Sequence, residues 1–359
     1  MTGIAAPIAM KAPALDRRLG WPDAARGIAM ILVVAGHMII GLQNSGLMAQ
    51  DGAANVWLLL FYAAHMPIVF FVSGHVSRDT AKPPREFFGG LLRWIVLPYV
   101  IWSALLVSVQ HLAPGANSPI PWSALLQIGW SPITLFWFLH TLFAIKLLHY
   151  GVSRLFGAAT PFVALGVAVF AAAGVAAFGV EDPMARHVAI FLLFYETGAV
   201  AAARPALLAS LDALPSARLA AIAGACGAVV AGVAAGYAAG AFGPLRPAYE
   251  FQNGVVVTGL LSIVGVLALL RAAQGSRVVG AARLVGVYSM AIYVQHVIVG
   301  AALRALAVKA GLRDPWLLTA GLTVAAIAAP ILWQMAFDRL RLTAFFGIRP
   351  VTAPPTRRA

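Results

Sequence analysis

Apolar runs of about twenty residues, separated by short polar or basic connections, recur along the whole chain. A run of that length crosses a bilayer as a helix, because about 20 residues rising 1.5 Å each cover a hydrocarbon core about 30 Å thick. Ten such spans are predicted, over residues 24–42, 56–76, 93–109, 133–150, 161–180, 187–202, 218–242, 251–270, 284–303 and 316–337. The seventh is rich in alanine and glycine, which suits close helix contact. The short alternating segments of a membrane β-barrel are missing from the pattern. The expected fold is therefore all-α, a polytopic membrane bundle of about ten transmembrane helices. Residues 1–20 and 351–359 read as disordered tails flanking a single membrane domain, 21–350.

Composition agrees with that reading. The chain is 61% hydrophobic and 10% charged, where a soluble domain carries about 25% charged residues. Cys226 is the single cysteine, which excludes a disulfide framework and a thiolate metal cluster. The formal net charge of +13 raises the question of nucleic acid, but its distribution follows the membrane. With ten spans, 20 of the 25 lysines and arginines fall on the side of both termini. The remaining five are Arg186, Arg246, Arg304, Lys309 and Arg313. By the positive-inside rule both termini are cytoplasmic. The expected surroundings are membrane lipids, with no nucleic-acid partner, in the inner or plasma membrane of a bacterial cell.

The polar positions inside the spans carry the candidate chemistry. In the first span Arg26 and His37 are 11 residues apart, about 20° from eclipsed after three turns and about 16 Å apart along the axis. Asp23 precedes Arg26 by three residues, near the same face. One face thus holds a charge at the membrane edge and an imidazole well inside. An ionisable group at that depth points to function, against the plainer reading of a histidine bonded between helices. His65, His140, Glu196 and His296 fall at a similar depth on four other spans, and Glu196 is the only carboxylate well inside any of them. A polar chamber with a basic cytoplasmic mouth accounts for that agreement. A histidine there suits proton abstraction from a hydroxyl, with Glu196 a candidate to orient it. A basic mouth suits a phosphate-bearing ligand. Metal is not expected, since no His-x-x-x-His or Glu-x-x-His pair occurs.

Five stretches carry a resemblance. They are Asp23-Ala-Ala-Arg26-Gly-Ile-Ala with Val33-Val-Ala-Gly-His37; His65-Met-Pro-Ile-Val-Phe-Phe-Val-Ser73-Gly74; Arg93-Trp-Ile-Val-Leu-Pro98-Tyr99; Trp137-Phe138-Leu139; and Tyr288-Ser289-Met-Ala-Ile-Tyr293-Val-Gln-His296. Together they resemble the landmarks of the acyltransferase 3 family of integral-membrane acyltransferases, most closely its fucose 4-O-acetylase-like branch, from Arg17 to about Pro350. The resemblance implies transfer of an acyl group, commonly acetyl, from cytoplasmic acyl-CoA to a hydroxyl of a sugar, glycan or lipid-linked saccharide. Acyl-CoA is then the donor substrate, and no permanently bound cofactor is implied. His37 resembles the catalytic histidine, as general base or acyl relay. Arg26, with Ser73, Gly74 and Arg93, resembles the coenzyme-binding set. Arg78, Arg85 and Arg93 are spaced apart where many relatives have paired arginines. His65, Trp137, His140 and His296 are candidates to line the acceptor chamber, and Glu196 to assist His37. The rival reading from the residues alone is a secondary transporter with a mid-membrane titratable site.

Overall fold

The computed structural model describes residues 20–50, 52–112, 119–242 and 254–351, so both expected tails lie almost wholly outside the described residues. Thirteen α-helices follow one another among these residues: α1 (Trp21–Asn44), α2 (Gly52–His75), α3 (Pro84–Leu91), α4 (Leu97–Leu112), α5 (Trp137–Phe156), α6 (Thr160–Ala177), α7 (Pro183–Ala203), α8 (Ala206–Asp212), α9 (Ser216–Ala238), α10 (Val255–Ala272), α11 (Arg277–Val287), α12 (Ser289–Lys309) and α13 (Pro315–Arg339). The chain is an all-α polytopic membrane protein.

Nine stretches of the described residues are long and apolar enough to cross a bilayer. One of them, Thr134–Ala177, has 44 residues, about 66 Å if it were a single helix and so twice the hydrocarbon thickness. It breaks at Gly157, whose φ of +52° no L-residue adopts easily, and α5 and α6 fold back against each other. The ten expected spans thus correspond to the long helices, with changed limits. The third begins earlier, at Pro84, and runs through a π-helical turn, Leu92–Val96, into α4. The ninth is two elements, because the chain turns at Tyr288 between α11 and α12. The fourth continues past residue 150 to Phe156.

Sequence chemistry starts and joins these helices. Asp182 and Asp314 cap α7 and α13 by accepting from the N–H groups of Ala185 and Leu317, each at 2.7 Å, with proline next in the chain. Glycine sets two close crossings. A Cβ on Gly27 of α1 would strike the carbonyl oxygen of Ala282 on α11, and one on Gly286 would strike that of Asp23. Likewise Gly74 of α2 lies on the carbonyl of Tyr195 in α7, and Gly198 on that of Phe71. These reciprocal pairs let backbones touch, as small residues do in membrane helix packing. Helices α1, α2 and α7 are the most buried, while α6 and α9 present apolar residues such as Phe170 and Val229 outward.

The N-terminus of α1, the C-terminus of α2 and the C-terminal end of α10 meet at one end of the bundle. The Trp21 and His75 rings are 4.8 Å apart there, and the Arg271 guanidinium lies 5.9 Å from the Trp21 ring centre. After α13 the chain returns to this end. The Thr343 hydroxyl and the Val351 N–H both donate to the Asp338 carboxylate, and Gln334 Nε2 donates to the Arg349 carbonyl at 3.0 Å. We refer to this as the basic end.

Candidate active site

His37 lies on α1, sixteen residues past its start, and meets His296 of α12. Each imidazole donates its Nδ1–H to a carbonyl one turn back, His37 to Val33 at 2.9 Å and His296 to Tyr293 at 2.8 Å and Ile292 at 3.0 Å. A carbonyl can only accept, so the proton of each neutral ring sits on Nδ1. The His296 Nε2 lone pair is then aimed at His37 Nδ1, 3.3 Å away, and the two rings meet edge to face with centroids 4.9 Å apart. The lone pair of His37 is left on Nε2. His65 on α2 follows the same pattern, donating Nδ1–H to the Phe61 carbonyl at 2.6 Å, with Tyr62 edge-on to its ring.

A cavity of about 40 Å³ adjoins His37 and His65, walled by Met30, Val69, Trp137 and Tyr293 among others. That volume holds a water or a group of two or three heavy atoms. Its walls are pinned: Tyr293 donates its hydroxyl to the Leu135 carbonyl at 2.6 Å, and Trp137 stacks on His187 at 3.9 Å.

A second cavity of about 430 Å³ lies at the basic end and takes in Arg26, Trp94, Ser289, Gln334 and Arg349. The same helix faces line both spaces. On α1, Pro22, Asp23 and Arg26 face the outer one and Met30, Val33 and His37 the inner one. Val76, just past the end of α2, faces the outer cavity, and Val69, Met66, His65 and Tyr62 on α2 face the inner one. Half-buried Ser73 occupies the turn between Val69 and Val76 on that face. Arg26 is paired with Asp23 at 3.2 Å. The Arg349 guanidinium lies 5.0 Å from the Trp94 ring centre.

The five groups expected to share one depth separate into three sets. His37, His65 and His296 come together with Trp137. Glu196 does not join them: it is fully buried against His149 of α5, whose Nδ1–H donates to both carboxylate oxygens at 2.9 and 3.0 Å. His140 does not join them either. Its Nε2–H donates to the Gly129 carbonyl at 2.8 Å, and its Nδ1 lies 3.1 Å from the Met184 sulfur, so it fastens the connection ahead of α5. Of the four expected coenzyme contacts, Arg26 lines the outer cavity and Ser73 lies on its approach. Arg93 is exposed and rests on the Trp94 ring at 5.1 Å. Gly74 faces α7, where its missing side chain serves the helix crossing.

Three residues of interest escaped the sequence reading. His149 falls at the end of the expected fourth span, 133–150, whereas α5 runs a turn and a half further, to Phe156. Trp94 sits in the π-helical turn, a feature frequent at functional sites. Arg349 counted only toward topology, because nothing in the pattern showed that the segment after α13 folds back.

These features define a helical membrane protein with a histidine centre inside the bundle and an arginine-bearing cavity at one end. Residues 19–334 match the family model described as "Acyltransferase domain", and the chain belongs to the acyltransferase 3 family of membrane acyltransferases. No curated protein and no solved structure matches the chain.

Proposed function

We propose that this acyltransferase moves an acyl group, acetyl in the first instance, from acyl-CoA to a hydroxyl of a sugar, glycan or lipid-linked saccharide. The observation that carries the reading is the shared face of α1, which runs from Arg26 in the outer cavity to His37 at the inner one. The basic end is read as cytoplasmic from its arginines. Phosphates of the coenzyme pair with Arg26 and Arg349, as guanidinium groups favour phosphate. The pantetheine arm follows the α1 face past Ser73, a rise of about 16 Å between Arg26 and His37. The small inner cavity suits a two-carbon acyl group.

His37 Nε2 accepts the acceptor's hydroxyl proton as that oxygen attacks the thioester carbonyl. The carbon–oxygen bond forms, the carbon–sulfur bond breaks, and the thiolate leaves with a proton returned by the imidazolium. Throughout, His37 Nδ1–H stays on the Val33 carbonyl and the His296 lone pair, which hold the ring in one tautomer. His296 is a positioning residue in this scheme, the part sequence reading assigned to Glu196.

The test is incubation of the purified full-length chain with radiolabelled acetyl-CoA and candidate saccharides, following free coenzyme A and labelled product. Mass spectrometry of glycans and lipids from cells with and without the gene supplies the acceptor as one acetyl mass difference. Coenzyme A release that persists in full in His37→Ala removes the assignment of His37. No release from the wild-type chain with any acyl-CoA removes the donor.

A further inference from the structure

A third cavity, of about 830 Å³, is neither of those described above. It also lies at the basic end, but on the other flank of α1. Gly20, Trp21 and Ala24 face it, whereas Pro22, Asp23 and Arg26 face the cavity that leads to His37. At about 100° per residue the centres of these two faces are about 160° apart, so the body of α1 stands between the two spaces.

Three guanidinium groups line this cavity: Arg78 just past the end of α2, Arg271 in the last turn of α10 and Arg283 within α11. His75 joins them. The carboxylate in the lining is Asp212, which accepts from Arg271 Nε at 2.6 Å. Nε of Arg283 is a buried atom with no hydrogen-bond partner. Buried polar groups are rarely left so, and each asks for an explanation. The remaining wall is apolar, with Trp21, Leu208, Leu219 and Leu270.

We propose that this cavity is a second binding site, for a phosphate-bearing anion with an apolar body, separate from the coenzyme path along the His37 face. A phosphate supplies acceptor oxygens to Arg78 and Arg283, whose planar forks match it. The surplus positive charge around one carboxylate is thereby neutralised. The apolar wall takes the rest of the molecule. The same phosphate chemistry belongs to a lipid headgroup at the membrane surface and to a soluble phosphate ester.

The test measures the thermal unfolding midpoint of the full chain in neutral detergent against increasing probe. One arm uses phosphatidylglycerol in mixed micelles, the other inorganic pyrophosphate, and diacylglycerol is the phosphate-free control. One phosphate probe is expected to raise the midpoint. Its half-saturating concentration should rise at least tenfold in Arg78→Gln/Arg283→Gln and stay unchanged in Arg26→Gln. Saturation by phosphatidylglycerol alone assigns a lipid, and by pyrophosphate alone a soluble ester; either supports the proposal. Ala209→Trp, which fills the cavity from its exposed rim without changing charge, should weaken the same probe if the double variant fails to accumulate. Binding by neither probe, binding untouched by all cavity variants, or equal loss in Arg26→Gln overturns the proposal.

Discussion

Among the described residues, His149 and His37 are both paired inside the bundle and differ in instructive ways. His149 donates to a carboxylate, Glu196, in the arrangement by which many enzymes orient a base. No described cavity reaches either residue. The second pair, His37 with His296, lacks a carboxylate but has a cavity beside it and a helix face running to the basic end. The pair that looks more like a catalytic dyad is buried away from all three cavities, and the pair that looks less like one adjoins the inner cavity. Access to a reactant separates the two more sharply than the identity of the partner does.

The contrast is open to attack by substitution. His37→Ala is expected to lower acyl transfer by about 10²- to 10⁴-fold, the usual contribution of a general base, with accumulation and unfolding midpoint unchanged. Glu196→Ala should do the reverse. It orphans a buried partner, which costs about 3 kcal/mol or more, and lowers the unfolding midpoint while the folded fraction keeps its specific activity. An inactive Glu196→Ala protein with a normal midpoint breaks the comparison and makes the His149 and Glu196 pair chemical. Gly74→Ala and Gly198→Ala should lose matching amounts of folded protein, about 1–3 kcal/mol each for overpacking a close crossing. A higher KM for the donor in Gly74→Ala alone would return that glycine to the coenzyme. The smallest effect is expected for His296→Ala, about tenfold in kcat for one lost positioning contact of about 1.4 kcal/mol. KM should hold steady and His296→Gln, whose amide oxygen can accept from His37, should recover part of the rate.

The helical class and the number of crossings were legible in the chain because apolar run length answers directly to bilayer thickness. The stripe from Arg26 to His37 was legible for a similar reason, since periodicity within one helix fixes which residues share a face. Partnership between helices was not. Position along a span gives depth, but the rotation of each helix and the choice of its neighbours come from packing. Glu196 therefore seemed as good a partner for His37 as His296 did. Span limits set by hydropathy alone also ended the fourth span at residue 150. That placed His149 at a boundary, when α5 carries it inside.

The return of the chain after α13 has a practical consequence. Arg349 reaches the outer cavity only because Thr343, Val351 and the Arg349 carbonyl are tied to Asp338 and Gln334. A deletion mutant trimmed back to residue 340 keeps every membrane crossing and still lacks one of the two guanidinium groups at the cavity, with Trp94 left bare. Expression vectors that place a rigid fusion partner directly against residue 351 pull on the same strap, so reporter fusions belong beyond a flexible spacer.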